Sequence, residues 1–179
     1  MKVRRAVPAD AADIARVQVA TWRAAYAGIV SADFLAQLSE ERRREQWQWY
    51  IADDQHAVFV AEDDGRRVVG FVACGPVRTP VESCTGEVHA IYVLPEAQRG
   101  GLGRALVAAA AGWLRSASHR ALAIWVLRDN APARRFYEAL GGQLGAEQDI
   151  EIGGQTLREV CYRWLDIDAL LHTEESDDE

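Results

Sequence analysis

The chain has 179 residues, 49% of them apolar and 26% charged, which suits one soluble globular unit large enough to bury a core. Its formal charge is −7, but Glu174, Glu175, Asp177, Asp178 and Glu179 supply five of those charges and leave −2 for the rest. No long basic stretch interleaved with aromatics is present, which argues against a nucleic-acid partner.

Cys74, Cys84 and Cys161 are odd in number and lack the paired spacing of a zinc site. The opening MKVRRAVPADAADI holds no apolar run of signal-peptide length, and no segment reaches ~18 uninterrupted apolar residues. The expectation is a cytoplasmic protein with reduced, packed thiols, no metal and no membrane contact.

In chain order, residues 2–7 read as a short strand, and Pro8, Ala9 and Asp10 then start a helix that ends near Gly28, with Ile14, Val17 and Ala20 to Trp22 on its buried face. A second helix follows Ser31 and either extends or restarts through ERRREQWQWY. Residues 56–62 and 67–75 form a hairpin around Asp63, Asp64 and Gly65. Residues 87–94 are a further strand, and a helix over 101–116 carries alanines at 105 and 108 to 111 that let it lie close to a sheet. The apolar run 121–127 is a buried strand, so strand, helix, strand predicts a right-handed parallel crossover. A helix over 131–140 and a hairpin of 143–152 with 155–164, turning at Gly153 and Gly154, complete a single unit over residues 1–172, followed by an acidic disordered tail at 173–179.

The stretch AIYVLPEAQRGGLGR stands out. A strand that runs into a helix presents amides with no intrahelical partner, and glycines let an anion approach them. Arg99 and Arg104 add charge. The plain alternative is a tight turn with no ligand. Gly103 is followed by Arg104 and Ala105, not by Lys with Ser or Thr, which excludes a nucleoside-triphosphate P-loop, and Gly100, Gly101 and Gly103 do not fit the dinucleotide fingerprint.

These residues resemble the GNAT superfamily of acyl-CoA-dependent N-acyltransferases. EVHAIYVLPEAQRGGLGRALV is similar to that family's strand and pyrophosphate turn, WVLRDNAPARRFYEALGG to its next strand and helix, and TWRAAYAGIVSADFLAQLS to the N-terminal part of a bacterial branch. Gly142 departs from the family, which usually has an aromatic after the preceding glycine, and this puts local packing in doubt. The resemblance implies an α/β fold: a central mixed sheet of about seven strands with helices on both faces.

It also implies transfer of acetyl from acetyl-CoA to a primary amine by direct attack, without metal. The cofactor would be held by Ile91, Tyr92 and Val93, by the turn residues Gln98, Arg99, Gly100, Gly101, Leu102, Gly103 and Arg104, and by Asn130 and Tyr137. By the resemblance the Ile91 N–H polarises the thioester and Tyr137 is the general acid; from spacing alone Tyr137 reads as a core residue, on one helical stripe with Ala133, Phe136 and Leu140.

A lysine-like amine of pKa ~10.4 costs roughly 4 to 5 kcal/mol to deprotonate at neutral pH, so a base is useful. Glu87, 11 residues before Gln98, is the first candidate, and period-2 alternation places it on one strand face with His89 and Ile91. His89 is the rival base and an acceptor contact. Trp22 and Tyr26, four apart on a helix, line the acceptor wall or belong to the core. A small-molecule amine is the leading acceptor, with a protein lysine or N-terminal amine, or a non-catalytic acyl-CoA sensor, as alternatives; a homodimer is compatible with all three.

Overall fold

The computed structural model describes residues 2–171, so the acidic tail expected at 173–179 lies outside the described residues. Seven strands form one mixed sheet in the order β1-β2-β3-β4-β5-β7-β6. They are β1 (Lys2–Arg5), β2 (Ala57–Glu62), β3 (Val68–Val81), β4 (Cys84–Val93), β5 (Leu122–Leu127), β6 (Gln143–Ile152) and β7 (Gln155–Trp164). Every neighbouring pair is antiparallel except β4 with β5, the expected parallel crossover.

Helices cover both faces. On one, α1 (Ala11–Ala25) and α3 (Glu40–Ala52) pack together, with the Trp47 indole N–H donating to Gln18 Oε1 at 2.8 Å and the Trp47 ring 5.0 Å from Phe71 of β3. Short α2 (Ala32–Ala36) follows α1. On the other face lies α4 (Leu102–Ser116), which buries Leu106, Ala110 and Leu114, one residue per turn, against β2, β3 and β4. Beside it α5 (Ala131–Ala139) sets Tyr137 5.8 Å from Tyr162 of β7. All three cysteines are free and buried.

Several boundaries move for identifiable reasons. The first helix begins at Ala11 because Pro8–Asp10 form a 3-10 turn, drawn back by Arg4, which donates to both oxygens of Asp10 at 2.7 and 2.9 Å. The charged ERRREQWQWY segment is a separate helix, capped by Ser39, whose hydroxyl oxygen accepts from Arg42 N–H. Strands β3 and β4 run further than their sequence signals, through Pro76 and Pro80. The last residue of β3 paired with β2 is Cys74, so beyond it the missing proline N–H groups face an open edge.

The largest correction concerns strand faces. In the β3/β4 register Ala73 opposes Ala90 while Cys74 opposes Val88, which leaves His89 as an unpaired bulge residue. Val88 therefore shares the α4 face with Cys74, whose thiol approaches Ala110 O of α4, and Ile91, opposite Val72, shares it too. Glu87 lies on the α1/α3 face with Ala90 and Tyr92, and His89 reaches α3 on that side through Tyr50. Uninterrupted alternation groups Glu87 with Ile91; the bulge separates them.

Candidate active site

The turn between β4 and α4 is built to expose amides. Arg99 adopts φ 66° and Gly101, the N-cap of α4, φ 78°, and a Cβ placed on Gly101 would meet nothing within 4 Å. Left-handed backbone there favours glycine for conformational reasons, not for lack of room. Among the described residues, the N–H groups of Leu102, Gly103 and Arg104 have no backbone acceptor, and the first intrahelical bond into Gly101 comes from Ala105 at 3.0 Å. The exposed Arg99 and Arg104 flank them. Gln98 uses its side chain differently: its amide donates to Val93 O at 3.0 Å and fastens the turn to the strand end. Gly103 serves packing, since a Cβ there would come within 3.0 Å of Phe136 on α5.

Strands β4 and β5 pair only from Gly86 with Leu122 to Val88 with Ile124, and above that they part. Leu94 N–H donates to Val69 O at 2.8 Å, so alternation along β4 turns the amides and carbonyls of Val93 and Ile91 into the gap, and those of Tyr92 toward β3. The backbone of Tyr92 is thus engaged with β3 and not free in the gap. Its ring stands on the α1 face, 5.6 Å from Phe71 and 6.5 Å from Trp22.

Asn130 caps α5 by accepting from Ala133 N–H at 3.3 Å. Arg134 is taken up by Tyr162 Oη at 3.0 Å and Arg128 O at 3.2 Å. Tyr137 is 5% exposed, and burial, followed by the nearby Tyr92, pushes its phenol well above the usual range, which keeps the proton on oxygen at neutral pH. A Cβ on Gly142 would lie 2.7 Å from the Trp164 ring and 2.9 Å from Tyr137 O. The β7 indole thus fills the place where the family usually has an aromatic, and its N–H donates to Leu140 O at 2.8 Å.

On the other face, Glu87 is 1% exposed and both its oxygens accept from Arg78: the backbone N–H at 2.9 Å to Oε2, and the guanidinium to Oε1. Arg78 itself is 58% exposed and covers the carboxylate from the solvent side. His89 has both nitrogens engaged. Nε2 faces Pro76 O at 2.8 Å, and since a carbonyl only accepts, Nε2 carries the proton and Nδ1 accepts from the Tyr50 hydroxyl. Trp22 and Tyr26 meet edge to face at 4.9 Å, with Phe34 6.4 Å from Trp22, and Tyr26 is buried in a cluster with Val30, Leu35 and Leu127.

No sequence motif marks Arg78, Tyr50 or Glu159. Arg78 lies in a stretch that reads as loop, and Tyr50 is one of several aromatics on α3. Glu159 carried a faint signal as the one acid in residues 155–164, immediately before a buried run.

Burial lowers the His89 pKa to about 4, against ~6.5 for a free histidine. The unfolded chain therefore binds a proton that the folded one refuses between those values. Stability present above pH ~6.5 is lost as pH falls toward the folded value, by about 2 to 3 kcal/mol from this site. Urea titrations of the wild type and His89→Gln at pH 7 and pH 4.5 should show a smaller acid loss in the variant; equal losses would refute the assignment.

A parted parallel strand pair beside a helix whose first amides are free offers backbone donors and acceptors to an extended, anionic ligand. Comparisons with known proteins agree. The sequence profile of the Acetyltransferase (GNAT) family matches residues 22–142. An uncharacterised N-acetyltransferase of Bacillus subtilis, YuaI, is 39% identical over 168 residues, covering 94% of this chain and 95% of that protein.

The crystal structure of PaiA N-acetyltransferase from Thermoplasma acidophilum with coenzyme A superimposes with a TM-score of 0.70 at 20% identity, over 88% of this chain and 96% of that one. The structure of YncA from Salmonella typhimurium with acetyl-CoA gives 0.67 at 22% identity, over 99% and 98%. The chain belongs to the GNAT acetyltransferase family: it is an acyl-CoA-dependent N-acetyltransferase. No helix among the described residues is long and apolar enough to cross a membrane.

Proposed function

We propose that the enzyme acetylates the primary amine of a small molecule by direct attack. The observation that carries this reading is the placement of two sets of groups on opposite sides of one gap. The amides of residues 102 to 104, the Ile91 and Val93 backbone and Tyr137 serve the cofactor side, while Glu87, Trp22 and Tyr26 serve the acceptor side. Acetyl-CoA supplies the activated acetyl group.

In this reading the Leu102, Gly103 and Arg104 amides, with Arg99 and Arg104, bind its diphosphate. The Ile91 N–H orients the thioester oxygen. Tyr137 holds the proton that the departing sulfur takes up. Glu87, at the foot of the gap, receives the proton released by the amine through an intervening water, because Arg78 already occupies both carboxylate oxygens. His89, with no free nitrogen, props the β4 bulge and borders the acceptor space through its ring.

The test is incubation with acetyl-CoA and a panel of small primary amines, following free thiol and the acetylated product. Turnover of at least one amine is expected. Tight acetyl-CoA binding with no turnover of any amine, alongside acetylation of a lysine or N-terminal peptide, would overturn the small-molecule assignment.

A further inference from the structure

Glu159 is a buried charge that the mechanism above does not use. Its place in the sheet follows from register. Glu87 lies beside Ala123 on β5, and two steps of alternation along that strand lead through Trp125 to Leu127, which opposes Glu159 on β7. The two carboxylates therefore face the same side of the sheet, the side of the acceptor wall. Glu87 sits where β4 and β5 still pair, and Glu159 sits level with the open end of the gap. Leu127 packs with Tyr26, Val30 and Leu35, so an apolar cluster stands on one side of Glu159, with the Gln148 amide on another.

The carboxylate is half satisfied. Glu159 is 9% exposed; its Oε1 accepts from the Gln148 amide at 2.7 Å, while Oε2 takes no hydrogen bond from a described residue and is not sealed from solvent. A carboxylate oriented by one amide, with a vacant oxygen beside an apolar cluster, suits a cation that brings its own apolar body. Burial raises the Glu159 pKa, opposed by the Gln148 hydrogen bond and by Arg78, with the Glu87 charge adding to it.

We propose that Glu159 Oε2 is the docking point for the ammonium group of the acceptor, and that the acceptor is a primary amine on an apolar or aromatic body. This rests on the small-amine reading above and adds to it the form in which the acceptor arrives. The ammonium first pairs with Glu159, then gives up its proton toward the Glu87 water as the amine nitrogen turns to the gap. One N–H bond breaks and one O–H bond forms, with no other reagent.

Calorimetry in the presence of CoA, with 2-phenylethylamine and its uncharged counterpart 2-phenylethanol as probes, tests the assignment. Glu159→Gln should weaken the amine about tenfold or more and leave the alcohol unchanged. In the wild-type protein, the carboxyl carbon resonance of Glu159 should move on adding the amine and stay still with the alcohol, a readout that survives if the variant does not fold. Equal amine affinity in both proteins, no amine binding at all, or an unmoved Glu159 resonance would overturn the proposal. Thiol release measured alongside separates the two ideas: amine binding that depends on Glu159 without acetylation refutes the small-amine reading alone, and acetylation indifferent to Glu159 refutes the docking role alone.

Discussion

Tyr137→Phe should lower kcat by about two to three orders of magnitude while coenzyme A affinity and the urea midpoint stay near those of the wild type. The substitution removes one hydroxyl and keeps the ring, which lies 5.5 Å from Phe136, 5.8 Å from Tyr162 and 6.3 Å from Trp164. The packing contribution therefore survives, and stability should change by less than about 1 kcal/mol. A positioned general acid contributes roughly 10²–10⁴ in rate, and that is the loss expected when the proton meant for the leaving sulfur is gone. Steady-state kinetics on any accepted amine, with calorimetry for coenzyme A, checks both halves. A kcat within about threefold of wild type would reassign Tyr137 to the core, the role that its helical stripe alone suggested.

Gly101→Val should cost coenzyme A affinity by about 10- to 100-fold in a protein that still folds. A β-branched residue at φ 78° is strained by at least 1 to 2 kcal/mol. The backbone relieves that strain by rotating, and the Leu102 and Gly103 amides then leave the direction in which they converge. Each charge-assisted hydrogen bond lost is worth about 1.5 to 3 kcal/mol.

Gly112→Ala provides the contrast within the same helix. Gly112 lies in the interior of α4, and a Cβ there would stand 3.8 Å from Leu171, an ordinary contact. That variant should gain up to about 1 kcal/mol of stability and bind coenzyme A as before. If Gly101→Val retained full affinity, the amide cradle would have no part in holding the diphosphate.

Much of this site was legible in the linear chain. The glycine turn, the strand before it and the Ala-rich helix after it are local signals: positive φ, unpaired amides and helical periodicity depend on residues a few positions apart. The same holds for Asn130 as a cap and for the terminal hairpin around Gly153 and Gly154. The roles of Tyr92 and of the strand faces were not legible, because a bulge is a mismatch in counting between two strands, and one strand read alone gives no sign that His89 has no partner. Gly142 reads as a defect against the family pattern until Trp164, 22 residues on, is seen to occupy its space.

By itself the sequence determined the order of elements, the glycine turn with its free amides and the identity of the residues on offer. Tertiary structure alone decided which of them meet. It placed β7 between β5 and β6, brought Arg78 over Glu87, locked His89 between Tyr50 and Pro76, and set Glu159 at the open end of the gap on the same sheet face as Glu87. The physical reason is range. Backbone conformation answers to neighbours along the chain, whereas the surroundings of a buried carboxylate or imidazole are fixed by cross-strand register and by helices that arrive from distant parts of the sequence.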